Sequence, residues 1–335
     1  MIRSSRLGVI ILLIIIACLC FIASLVFGAV SIPLVSSLLT GSLSDTHRFI
    51  LLFIRLPRSI IALLTGTALA VSGCAVQGLF RNPLASPEVL GVSAGGSLAA
   101  LIAIISGISA FSLFTIPLFA ITGCLGAAFF VYSFSLSGEG SVNLLYIVLA
   151  GLALSSLLNG IISAVLLFSH EYDVTRYIHW TMGSLENRRW EHVLISVPVI
   201  VPAVILLSVL GKQINILSFG EEAAWSIGLS VTNFKRITLV LVSVLTGVAV
   251  SVSGTISFIG ILIPHLLRIV IGPDNRYLLP ASAAAGGAFL LLCDTVGRSV
   301  FAPFEIKAGI ITALTGGPYF LYLLYRFRKR GAYGS

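Results

Sequence analysis

Charge is what this sequence lacks. Of its 335 residues only 10% are Asp, Glu, Lys or Arg, and 58% are hydrophobic. A water-soluble domain carries about a quarter charged residues, because its surface has to be solvated. The shortfall excludes a large soluble core and leaves lipid as the solvent. Nucleotide chemistry is missing as well: no G-x-x-x-x-G-K-[ST] is present, so the chain has no P-loop for ATP. His170-Glu171 lacks a second histidine four residues after the first, which excludes a zinc-protease helix, and no G-x-S-x-G elbow occurs. The histidines are scattered and the cysteines form no C-x-x-C pair. All five cysteines lie in apolar runs and read as packing residues. Neither a cofactor, a metal site nor an enzymatic activity is expected.

What is present is apolar and long. Ten runs, at about 7–31, 57–80, 91–108, 114–136, 142–168, 192–211, 237–254, 256–271, 277–297 and 306–326, are continuously hydrophobic rather than alternating. Unpaired backbone groups are too costly in hydrocarbon, so such runs must be helices. The predicted fold is an all-α polytopic membrane protein of about ten transmembrane helices in a single domain. Arg3 and Arg6 precede a first run too long for a signal peptide, which reads as a retained helix. The eighth run is short and holds Pro264, as a broken or half-length helix would.

The net charge of +8 belongs to the ends of these runs, not to one polar face, so nucleic acid is not an expected partner. An even number of crossings puts both termini on one side. With that side cytoplasmic, twelve of the 20 Lys and Arg fall inside and eight outside, as the positive-inside rule favours. The outer set includes Arg55, Arg58 and Arg298 and runs against the trend. No ionisable residue apart from His265 is expected deep in a span, which argues against a proton relay.

The chain also repeats itself. Gly66, Ala68, Val71, Ser72 and Gly73 recur as Gly247, Ala249, Val252, Ser253 and Gly254, an offset of 181 residues. The same offset pairs Arg55 with Arg236, Pro83 with Pro264 and Gly91 with Gly272. The copies lie on the second and seventh runs, which cross in opposite directions. That is the pattern of an inverted repeat, with halves at about 55–168 and 236–326.

The most informative segment begins at Arg55-Leu-Pro57-Arg58 and passes Gly66, Ser72-Gly73 and Gln77. It ends on Arg81-Asn82-Pro83-Leu84-Ala85-Ser86-Pro87-Glu88, closing at Gly91. A helix here enters past two arginines, crosses with small residues along one side, and breaks at a turn fixed by two prolines. Asn82 is placed to bond that turn's backbone. This segment resembles the FecCD-type permeases, the membrane subunits of importers for ferric siderophores, haem and cobalamin. Further matches are Trp180 to Leu185, Leu217 to Glu221, Ser253 to Arg268 with Pro264-His265, Asp294 with Arg298, and Gly316-Gly317-Pro318. The sequence departs from the family pattern at Lys307, where a proline is usual.

The resemblance implies a passive permease subunit of an ABC importer in the inner membrane. Its cargo is an iron chelate such as a siderophore or haem, with cobalamin or molybdate as the alternative on the same scaffold. It implies two ABC ATPase subunits, a second permease copy (identical or a paralogue) and a periplasmic or lipid-anchored binding protein. It assigns Arg55, Arg58 and Arg298 to docking acidic residues of that binding protein, for which the guanidinium fork is suited. The polar stretch at about 212–235 becomes cytoplasmic coupling helices. There Trp225 and Ile227 are apolar anchors, Glu221 and Glu222 face basic residues of the ATPase, and Gly220 and Gly228 break the chain. Asn82 and Leu84, with Glu139 and Ser141 in the loop before the fifth run, are placed at a cytoplasmic gate. The rival is an ion-coupled secondary transporter, which needs coupling carboxylates at mid-membrane.

Overall fold

A computed structural model describes residues 2–28, 44–135, 144–300 and 304–331. Among them are thirteen helices and no strand. The first half has α1 (Ile2–Val26), α2 (Asp45–Phe80), α3 (Val92–Ile105), α4 (Thr115–Ser135), α5 (Leu144–Leu167) and the short α6 (Glu171–Thr181). Then come α7 (Trp190–Val209) and two short helices, α8 (Gly211–Leu217) and α9 (Glu221–Ser226). The chain finishes with α10 (Val231–Ser253), α11 (Ile259–Ile271), α12 (Asn275–Ser299) and α13 (Ala308–Gly331). Each of the ten apolar runs coincides with one of these helices. Seven are long and apolar enough to cross a membrane. We call the face bearing the start of α1 the near face and the opposite one the far face.

Three helices make the centre. The spanning windows of α2, α10 and α12 are 78%, 72% and 61% buried, while that of α1 is 11% buried. The centre is possible because α2 carries almost no side-chain spacer where it meets its neighbours. A Cβ on Gly66 would overlap the carbonyl oxygen of Gly286 on α12, and one on Gly73 would overlap that of Gly260 on α11. Lipid gives apolar side chains no reason to leave it for each other. Close backbone approach, with the dispersion it brings, therefore supplies the attraction.

The second helix is longer than its apolar run. It begins at Asp45, behind an N-cap in which the Ser44 hydroxyl accepts from His47 N, and runs through a π-helical stretch at Ile50–Arg55. Two causes of the widened turn are visible. Pro57 has no N–H to return to the carbonyl of Phe53. The carbonyl of Leu52 instead accepts from the Trp190 indole at 3.0 Å.

Two helices are too short to cross alone. α3 has 14 residues and α11 has 13, about 20 Å each against a ~30 Å hydrocarbon layer. Irregular backbone supplies the missing depth in both cases. The turn at 81–91 folds back from the near-face end of α2 until Pro87 meets Gly260. The link at 254–258 plays the same part from the far face. Each short helix starts from a left-handed residue, Gly91 (φ 69°) and Phe258 (φ 70°). The constant offset of 181 residues therefore fails past Gly254. Gly73 lies inside a helix that continues to Phe80, whereas Gly254 ends one. Pro83 sits in a turn while Pro264 lies inside α11, and Gly91 starts a helix where Gly272 ends one. The second connection is simply the shorter.

Substituting Gly73→Val is expected to lower stability in detergent by about 3 kcal/mol, the scale of an overpacked contact. Gly126→Ala, at a site with nothing within 4 Å, is expected to raise stability by up to about 1 kcal/mol. Equal thermal midpoints for the two variants would remove the glycine contact from the fold's energetics.

Candidate functional site

At the far-face end, the three arginines form one buried cluster around the end of α1. Arg58 holds Asp294 with two of its nitrogens, at 2.9–3.1 Å, and Glu305 with a third at 2.9 Å. Arg298 faces the same Asp294 at 3.4 Å and donates to the carbonyl of Ser24. Arg55 donates to the carbonyls of Leu25 and Val26, both at 2.7 Å. The last carbonyls of a helix have no partner within it and carry the negative end of its dipole. Arg55 and Arg298 satisfy both needs for α1. The three arginines assigned to docking are thus brought together here, with Arg55 and Arg298 only 4% and 3% exposed. Arg58 keeps slight exposure, and its partner Glu305 keeps more.

Lys307 now has a reason to differ from proline. Its ammonium pairs with Glu186, tying the segment before α13 to the loop after α6. That bond holds the Glu186 carboxyl below its ordinary range. In the same loop burial, helped by nearby Arg58, pulls the Arg188 guanidinium down to about 10. Arg48 and Arg189 are the exposed arginines among the described far-face residues.

At the near face, α9 hangs between two positive-φ glycines, Gly220 (φ 121°) and Gly228 (φ 91°). Neither has anything within 4 Å of where a Cβ would stand, so the backbone and not packing demands glycine there. Ala224 is buried and seats the helix. Phe219, Trp225 and Ile227 are 81%, 75% and 70% exposed. Glu221 is 49% exposed while pairing with buried Lys235 at 2.8 Å. Glu222 remains exposed. Beside the helix, Glu222, Trp225, Leu229 and Thr232 line a groove of about 760 Å³.

Residues 12–326 match the FecCD transport family. The chain belongs to it. It is 39% identical over 306 residues to the hemin transport system permease protein HmuU of Yersinia pestis, covering 90% of this chain and 91% of that protein. It is 40% identical to the cobalamin import system permease protein BtuC of Halobacterium salinarum, covering 84% and 74%. To the Fe(3+) dicitrate transport system permease protein FecD of Escherichia coli it is 33% identical, covering 92% and 95%. A solved metal-chelate type ABC transporter in an inward-facing conformation superposes with a TM-score of 0.83 at 30% identity, over 96% of this chain and 99% of that one.

Between the two faces, a second ionisable side chain besides His265 lies at depth, on a turn outside the spans. Glu88 sits on the turn that folds back beside α2, close to Leu69, Thr246 and Phe258. Its side chain is exposed on this protomer. Leu69 lies 11 residues before the end of α2, about 16 Å into the layer. Sequence pattern could not reveal this, because the residue follows a proline turn that reads as surface loop. His265 is buried and packs edge-on against Tyr319, with ring centroids 6.3 Å apart. Of the gate residues, Asn82 accepts from Leu84 N at 2.9 Å, which closes the turn. Glu139 and Ser141 lie outside the described residues. Cys18 is exposed on α1, unlike the other four cysteines.

Asp294→Asn is expected to cost about 3 kcal/mol, because it removes the carboxylate shared by buried Arg298 and the largely buried Arg58. Glu305→Gln, at a more exposed position, is expected to cost less than about 1 kcal/mol. Denaturation midpoints in detergent compare them, and an equal loss for both would contradict the buried-cluster account.

Proposed function

We propose that this chain is the transmembrane permease subunit of an ABC importer for an iron chelate, haem or a related metal compound. The observation that carries this reading is α9. It offers Trp225 and Ile227 to the near-face solvent on a helix held by two glycine pivots. Exposed aromatic and aliphatic anchors on a short helix are what a partner's groove recognises. That partner is an ABC ATPase, present in two copies and supplying the hydrolysis this chain has no motif to perform. The near face is then cytoplasmic, which agrees with the bias of Lys and Arg toward it. A second permease copy completes the passage.

The cargo class rests on the relatives, whose names specify hemin, ferric dicitrate and cobalamin transport. On the far face a substrate-binding protein docks. Arg58 is the candidate contact, exchanging Glu305 for a carboxylate of the incoming protein, with exposed Arg48 and Arg189 steering the approach. Arg55 and Arg298 act behind it by fixing the end of α1. Asn82 and Leu84 hold the turn next to the passage, and Glu139 and Ser141 remain assigned to the gate.

Two measurements test the two faces. Trp225→Glu with Ile227→Glu is expected to abolish co-purification of the ATPase in mild detergent while leaving the permease folded; undiminished association would defeat the coupling assignment. Glu305→Gln frees Arg58 and is expected to tighten capture of the binding protein at low salt. Weaker capture by a normally folded variant would show that Arg58 is not the contact.

A further inference from the structure

Between α1 and α7 the fold leaves an apolar furrow of about 1010 Å³, floored by α2 and α12. Phe21, Leu63, Ile205 and Val209 are among its lining. It exists because α1 packs chiefly on α12 and only lightly on α2. Small residues, Ala283 and Ala284 on α12 and Cys18 on α1, keep its walls thin.

At the near-face end a second cavity, of about 640 Å³, takes over with the opposite chemistry. The two abut: Val209 lines the first and Lys212 the second, and Pro280 and Arg276 on α12 are related in the same way, about one helical turn apart. Five cations line the second cavity, Arg6, Arg81, Lys212, Arg268 and Arg276, against the single carboxylate of Asp274. Asp274 is already shared, at 2.6 Å from Arg276 and 3.5 Å from Arg6. The bonds from Arg276, with that from Asn215, hold its carboxyl down to about 2. The half-buried Arg268 guanidinium donates to the Gln77 side-chain oxygen at 2.9 Å rather than to an acid. Lys212 and Arg81 are exposed, and no described carboxylate pairs with either of them or with Arg268.

Clustered cations in a recess repel one another and favour an anion between them. A soluble anion or an acidic protein loop would answer the cup but not the furrow, which lies at hydrocarbon depth. One ligand class answers both. We propose that an anionic phospholipid binds here, its acyl chains between α1 and α7 and its phosphate among Arg6, Lys212 and Arg268. The phosphate lies against α8, the helix that leads into α9. The site needs no part of the transport reading, which decides only which leaflet supplies the lipid.

The test uses the full chain, stripped of lipid in detergent and offered phosphatidylglycerol or phosphatidylcholine, with retained lipid counted by native mass spectrometry. Phosphatidylglycerol is expected to be held in preference. Lys212→Gln is expected to weaken it about fivefold, the effect of one cation near an anionic lipid, and Arg268→Gln at least as much. Cys18→Trp fills the furrow without touching a cation and is expected to release the lipid. Thermal midpoints confirm folding, and if Arg268→Gln unfolds, the exposed Lys212 decides. Equal retention of the two lipids would overturn the proposal, as would retention unaffected by Lys212→Gln. Displacement by inorganic phosphate, with Cys18→Trp silent, would make the cup a free-anion site instead. Displacement by the ATPase alone, again with Cys18→Trp silent, would make it a protein contact.

Discussion

The whole architecture rests on α2 touching α11 and α12 backbone to backbone. In water, apolar side chains would drive these helices together by leaving the solvent; in hydrocarbon that drive vanishes. What remains is the density of contact, which glycine at positions 66, 73, 260 and 286 allows. The three most buried spans, α2, α10 and α12, follow from that choice. The peripheral α1 follows from its opposite, a helix covered with Leu and Ile whose spanning window is only 11% buried. Peripheral helices need another means of fixing their ends, and here the means is electrostatic. Arg55 and Arg298 donate to the terminal carbonyls of α1, and Asp294 balances Arg298 and Arg58 together.

The number and place of the spans were legible because lipid imposes one rule on every residue of a run. The rule says nothing about which groups pair inside the fold. Arginine near the end of a span is equally suited to an outside carboxylate and to an inside carbonyl. Only the fold, by bringing the end of α1 against Arg55, separates the two. Glu221 was ambiguous in the same way until Lys235, fourteen residues on, reached back to it.

Depth was the other blind spot. Hydropathy measures length along the chain, so a proline turn such as 82–91 reads as surface even when it folds back beside a helix. Glu88 was hidden by this, as was the difference between the two connections of the repeat. The glycines and the paired small-residue motif were visible, but which glycine met which was not, since Gly66 finds Gly286 across more than two hundred residues. Lys307 was conspicuous as a departure, and its reason lay in Glu186, on a different loop.

The pivots at Gly220 and Gly228 carry a mechanical implication. Between them the helix is tied down, by Ala224 in the interior and by Glu221 to Lys235 on α10. A load placed on α9 therefore reaches α10 through an ion pair as well as through the chain.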